Sequence, residues 1–223
     1  MRFSFLLVLT LSSVIVFGQK SNTNKDEAYI RTITSRAEKI VATLSISDSL
    51  KAKHIIVLVA DQYKNLNSIY TERDEQIKTI KQEGLSKEET DNTVKKIDTS
   101  INMKIEALHA TFISALSSEL SAEQVTKVKD GMTYNVLKVT YDAYVDMIPT
   151  LTKEQKDQIM VWLVEAREHA MDGESSEKKH WWFGKYKGRI NNYLSAQGYN
   201  INKEREEWEK RNKQKQEANQ NQS

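Results

Sequence analysis

Pro149 is the only proline in this 223-residue chain, and seven glycines are all it has to turn on. β-Sandwiches and barrels need turn-forming residues about every 8–12 positions. This chain cannot supply them, and an all-α fold is the class that remains.

Hydrophobic periodicity predicts the helices one by one. Ile30, Ile33, Ala37, Ile40, Val41 and Leu44 form one stripe. A long stripe follows Ser47-Asp48 through Ile55, Val59, Leu66, Ile69, Ile77 and Ile80, interrupted by Gln62 and Arg73, which implies only partial burial. Val94, Ile97, Ile101, Ile105, Leu108, Phe112 and Leu116 make a third. The second and third are long enough for a helical hairpin turning at Gly84-Leu85-Ser86, with a shorter C-terminal helical part packed on it.

Three segments share one grammar of helix initiation: Ser86 with Glu89, Ser121 with Gln124 and Thr152 with Gln155. A Ser or Thr hydroxyl accepts from a free amide of the first turn, and Glu or Gln three residues on reaches back. Leu120 is placed to staple onto Val125. Gly131 and the β-branched Val136, Val139 and Thr140 predict a break, then a short helix through Tyr141, Tyr144 and Val145 that Pro149 ends. From Lys153 a helix buries Ile159, Trp162, Leu163, Ala166 and Ala170 and stops at Gly173. Residues 175–198 read as one or two helices broken near Gly184 and Gly188. From Lys203 the chain is charged and then rich in Gln and Asn, a tail expected to be helical at first; Trp208 is placed to dock it, and the last dozen or so residues should fray.

The first 18 residues have the pattern of a signal peptide: Arg2, an apolar run from Phe3 to Phe17, and small Val16 and Gly18 before Gln19. That run is shorter than the roughly 20 residues of a membrane-spanning helix. The expectation is a signal peptide over 1–18, one all-α domain over 19–202 and a tail over 203–223, in a periplasmic or secreted protein with no membrane insertion after cleavage. No cysteine is present, which excludes disulfides, thiolate metal sites and a thiol nucleophile. The formal charge is +2, and removing Arg2 with the leader takes away one positive charge and no negative one. Interspersed, near-neutral charge gives no reason to expect nucleic acid as partner.

The richest segment for a ligand is 180–193. Aromatic faces beside Lys, Arg and Asn suit a carbohydrate, whose C–H face meets the ring while amide and guanidinium groups bond its hydroxyls. Trp181, Tyr186, Arg189, Asn192 and Tyr193 are the candidate ligand-binding residues. The competing reading is a core stripe of Trp182, Tyr186, Ile190 and Tyr193 at helical spacing. Trp181 is about 100° away from Trp182 and shares a face with Lys185 and Gly188, which makes it the sugar platform of the pair. Glu165 and His169 lie one turn apart, as do Glu168 and Asp172. Such pairs can hold a metal or run acid–base chemistry, but the Glu-x-x-His spacing of di-iron bundles is absent, and a solvated charged face is the reading preferred here. His54 and His109 lie within helical stripes as packed or boundary residues. No phosphate loop, nucleophile elbow or His-Glu-x-x-His pair occurs, so neither cofactor nor metal is called for and no catalytic residue is nominated.

Two resemblances arise. Leu120-Ser121-Ala122-Glu123-Gln124 and Leu151-Thr152-Lys153-Glu154-Gln155 resemble the Leu-Thr-x-x-Gln repeats of small periplasmic helical chaperones and stress sensors. More extensively, the runs from Asp130 to Asn135, Tyr141 to Tyr144, Met147 to Pro149, Glu165 to Asp172 and Trp182 to Leu194 resemble an uncharacterised family of exported helical proteins from polysaccharide-degrading Gram-negative bacteria. That family carries a sugar-binding description and no established catalytic residues. The resemblance implies a non-catalytic binding or accessory protein for oligosaccharide. The alternatives are a chaperone-like or scaffold protein that meets envelope proteins, and a carbohydrate-active enzyme using Glu165, Glu168 or Asp172.

Overall fold

The computed structural model describes residues 19–220, and among them it is all-helical, as expected: eight α-helices and no strand. The leader assigned to 1–18 lies outside the described residues, as do the last three residues of the tail. The helices are α1 (Gln19–Ala42), α2 (Ser49–Gln82), α3 (Lys87–Glu119), α4 (Ala122–Met132), α5 (Val136–Met147), α6 (Lys153–Met171), α7 (Ser176–Ala196) and α8 (Ile201–Gln220). None of them is long and apolar enough to cross a membrane.

Two cores organise the molecule. The first joins α1 to α4 through Ala37, Leu44, Ile55, Phe112, Leu116 and Val128. The second joins α5, α6 and α7, with Leu137, Ile159, Leu163, Phe183, Ile190 and Leu194 at its centre. Met171, at the end of α6, belongs to the first core, so α6 is shared between the halves. α2 and α3 run antiparallel, tied by His54–Glu119 (2.9 Å), Glu72–Lys104 (2.5 Å) and Arg73–Asp98 (2.7 Å). Their turn places Gly84 at φ +70°, and Ser86 and Glu89 close the capping box that starts α3. Between Leu66 and Ile101 no residue of either helix is buried, so the outer half of the pair is a two-helix arm with half-exposed Ile69, Ile77, Ile80, Val94 and Ile97.

Four local expectations change. The stripe of α1 begins at Ile33, because Ile30 is exposed. The break after α4 falls at Thr133-Tyr134-Asn135, where Tyr134 and Asn135 are left-handed (φ 57° and 56°). Gly131 lies inside α4, and a Cβ there would stand 2.8 Å from Ile40 Cγ1, so this glycine lets α1 approach. α7 passes unbroken through Gly184 and Gly188. Each glycine weakens a helix by about 1 kcal/mol relative to Ala. The continuous buried stripe Phe183, Tyr186, Ile190, Leu194 outweighs that, since burying one large apolar side chain is worth roughly 1.5–3 kcal/mol. Finally, α8 continues to Gln220, although its last stretch, from 213 onward, is exposed wherever its side chains are described. Trp208 docks it: the indole Nε1 donates to Asp146 Oδ2 (2.5 Å), and Arg211 donates to the Asp146 and Met147 carbonyls that end α5 (3.0 and 3.1 Å).

Candidate functional site

The phase of α7 decides which aromatic residues reach the surface. Phe183, not Trp182, occupies the centre of the buried stripe, and Tyr186 joins it in the core. Trp182 is thereby rotated to the edge, half-buried, and Trp181 stands 52% exposed. The two indoles meet edge to face at 5.0 Å. Lys185 Nζ lies 4.9 Å from the Trp182 ring and 5.7 Å from Trp181, and Lys178 Nζ is 5.3 Å from Trp181. These are cation–π distances.

The Trp182 ring also stacks on His169 at 4.4 Å and 16°. Together they wall a cleft between the α2–α3 pair and the α6–α7 pair. Two adjoining recesses, of about 440 and 270 Å³, share Tyr70, Asn102 and Trp182. The inner recess is lined further by Glu106, His109, Glu168 and Asp172. The outer one adds Arg73, Asp98, Glu174, Lys178 and Trp181. Helical spacing explains the α3 contribution: Asn102, Glu106 and His109 fall at i, i+4 and i+7 on one face.

Asp172 ends α6 and lies at the inner wall, 9% exposed. Its Oδ2 is 2.7 Å from His109 Nδ1, so that nitrogen carries the hydrogen and donates. Its Oδ1 is buried with no hydrogen-bond partner among the described residues. Its backbone carbonyl accepts from the Tyr70 hydroxyl at 2.9 Å, and burial pushes that phenol up to about 12. The hydrogen bond to Asp172, backed by the charges of Asp172 and Glu168, holds the His109 imidazole above its usual range against desolvation and Lys129. His109 Nε2 stands 3.7 Å from Glu168 Oε2. Glu168 is itself engaged by Lys129 (2.7 Å) and by the buried Arg167 (3.1 Å), which also reaches Asp130 (2.8 Å).

The five residues nominated from the sequence do not form one site. Trp181 is at the cleft rim, and Tyr186 is buried in the core. Arg189 lies 4.6 Å over Trp162 and pairs with Glu165 at 3.3 Å; Tyr193 meets Trp162 edge-on at 5.2 Å. Asn192 is exposed, 11 positions and hence about 16 Å along the helix from Trp181. It lines neither recess; its neighbour Asn191 lines a separate depression of about 520 Å³ with Ser195, Tyr199, Asn200 and Arg205. Glu165 pairs with Arg189, whereas His169 stacks on Trp182. Sequence reasoning missed Tyr70, Asn102 and the pairing of His109 with Asp172. The spacing of Asn102, Glu106 and His109 on one face of α3 was the available signal.

An all-helical protein with an aromatic-walled polar cleft between two helix pairs is the class that fold and site define. The chain belongs to the family described as a protein of unknown function (DUF3826), whose model matches residues 30–214 and so spans the whole cleft. No curated protein matches the chain.

Proposed function

We propose that this chain is an exported oligosaccharide-binding protein and that the cleft beside Trp181 and Trp182 is its site. The observation that carries the reading is the pair of indoles at the mouth of a recess furnished with an amide and several charged groups. A sugar ring stacks on such a face while Asn102 and Arg73 are placed for its hydroxyls. Export rests on the pattern of the first 18 residues. The chaperone-like alternative needs a continuous apolar surface, whereas the exposed large apolar residues, from Ile30 on α1 to Trp181 on α7, are dispersed over six helices and two turns.

The test is calorimetric titration of the natively processed protein with xylo-, manno- and galacturono-oligosaccharides. Trp181→Ala and Trp182→Ala should each weaken binding tenfold or more, since an aromatic stacking contact is worth on the order of 1 kcal/mol beyond its buried area. Arg189→Ala, remote from the recess, should change it less. A parent that binds none of these probes, or binds one equally well without either tryptophan, sinks the proposal.

A further inference from the structure

The cleft holds more than binding requires. His109 is fixed through Nδ1 by a buried carboxyl group, and its Nε2 lies toward the recess with Glu168 Oε2 3.7 Å away, beyond hydrogen-bond distance. The other oxygen of that carboxyl, Asp172 Oδ1, is buried and unpartnered. A buried acceptor left unsatisfied costs about 1–3 kcal/mol and calls for a reason. A scaffold would be better served by Asn, whose amide would give the His109 ring a neutral partner. A carboxylate with one oxygen on Nδ1–H and the other short of donors is instead the arrangement that orients an imidazole and holds its proton. One turn back along the same face of α3, Glu106 is exposed into the same recess.

We infer that the inner recess is a catalytic site in which His109, oriented by Asp172, and Glu106 hydrolyse a glycosidic bond of the bound oligosaccharide. The inference rests on the binding reading above and goes beyond it. No Ser, Thr, Cys or Lys lines this recess, and the step assigned to its imidazole and carboxylate is proton transfer with water as co-reactant. The Glu106 carboxylate takes a proton from water, and the water oxygen bonds to the anomeric carbon. The bond from that carbon to the leaving oxygen breaks, and the leaving oxygen takes the proton of His109 Nε2. Exchange with solvent then returns Glu106 and His109 to their starting states. Asp172 is a positioning residue that acts through His109. The groups facing His109 are Asp172 and Glu168 from α6, Lys129 from α4 and Glu106 from its own helix. Three carboxylates, Glu106, Glu168 and Asp172, and no Lys or Arg line the inner recess, so a neutral sugar suits it better than a uronic acid.

The experiment runs product analysis beside calorimetry on the natively processed protein, with xylo- and manno-oligosaccharides as neutral probes and oligogalacturonide as the acidic one. Mass spectrometry and reducing-end assays should show a neutral oligosaccharide shortened with uptake of one water. His109→Gln and Glu106→Gln should each lower kcat about 100-fold or more with KM little changed, the usual reach of acid–base catalysis. Glu106 is exposed, so its replacement spares the fold and keeps the test valid even if a change at His109 unfolds the protein. Asp172→Asn should lower kcat and move the alkaline limb of the pH profile downward, because His109 loses the group that holds its proton. A parent that binds an oligosaccharide and returns it intact, or a Glu106→Gln variant with parental turnover, overturns the catalytic inference and leaves the binding reading standing. Absence of any binding removes both.

Discussion

Lys179 is buried, and its Nζ donates to the carbonyls of Ala170 (3.2 Å) and Met171 (2.9 Å) at the end of α6, 5.8 Å from the Tyr63 ring. Burial pushes this amine down to about 8, against the pull of Asp172. An unfolded lysine titrates near 10.4. From about pH 8 to 10 the unfolded chain therefore keeps a proton that the native one has released, and stability from this group rises with pH across that window. Urea midpoints measured from pH 7 to 10 should show the parent gaining on Lys179→Met as pH increases. Parallel curves would show that the ammonium suffers no such penalty. Lys179 escapes sequence reasoning because its neighbours Lys178 and Glu177 give it the look of a solvated face. The same limit blurred the tryptophans. The stripes 182-186-190-193 and 183-186-190-194 share Tyr186 and Ile190, and three consecutive aromatic residues contain no polar position to fix the phase of the helix.

At the scale of elements, what is written in local hydrogen bonds was legible. Ser121 accepts from the Gln124 amide at 3.2 Å while Gln124 accepts from the Ser121 amide at 3.1 Å. Thr152 and Gln155 repeat the exchange at 3.3 and 3.0 Å. Residues three apart complete such a box whatever the rest of the fold does, so the spacing alone announces it. Ser121→Ala or Thr152→Ala should each lower stability by about 0.5–2 kcal/mol in chemical denaturation, with oligosaccharide binding unchanged. A binding defect in a folded cap variant would mean that these helix starts do more than begin helices. The unbroken course of α7 was illegible for the complementary reason. Gly184 and Gly188 are local signals, but the buried stripe that overrules them is completed by α5 and α6.

At the scale of the whole molecule, the cleft draws Tyr70, Asn102, His109, Asp172 and Trp182 from four helices. The pairing of His109 with Asp172 spans 63 positions and that of Tyr70 with the Asp172 carbonyl spans 102. Helical periodicity says which face each residue occupies on its own helix and nothing about which helix that face will meet. The all-α class could be read from the chain, and the meeting of faces could not. The two-helix arm beyond Leu66 and Ile101 gives the molecule a gradient of opening. Without buried side chains, its amides are shielded by little more than helical hydrogen bonds, and they should trade hydrogen for deuterium through fraying that leaves both cores closed. Exchange followed by mass spectrometry should show the segment from about 70 to 98 labelled well before the centres of α6 and α7. Because Tyr70 and Asn102 stand at the arm's root, an oligosaccharide seated in the cleft should slow labelling there first and fade in effect toward Gly84, so the occupied site would be read as a wave of protection travelling partway out along two helices.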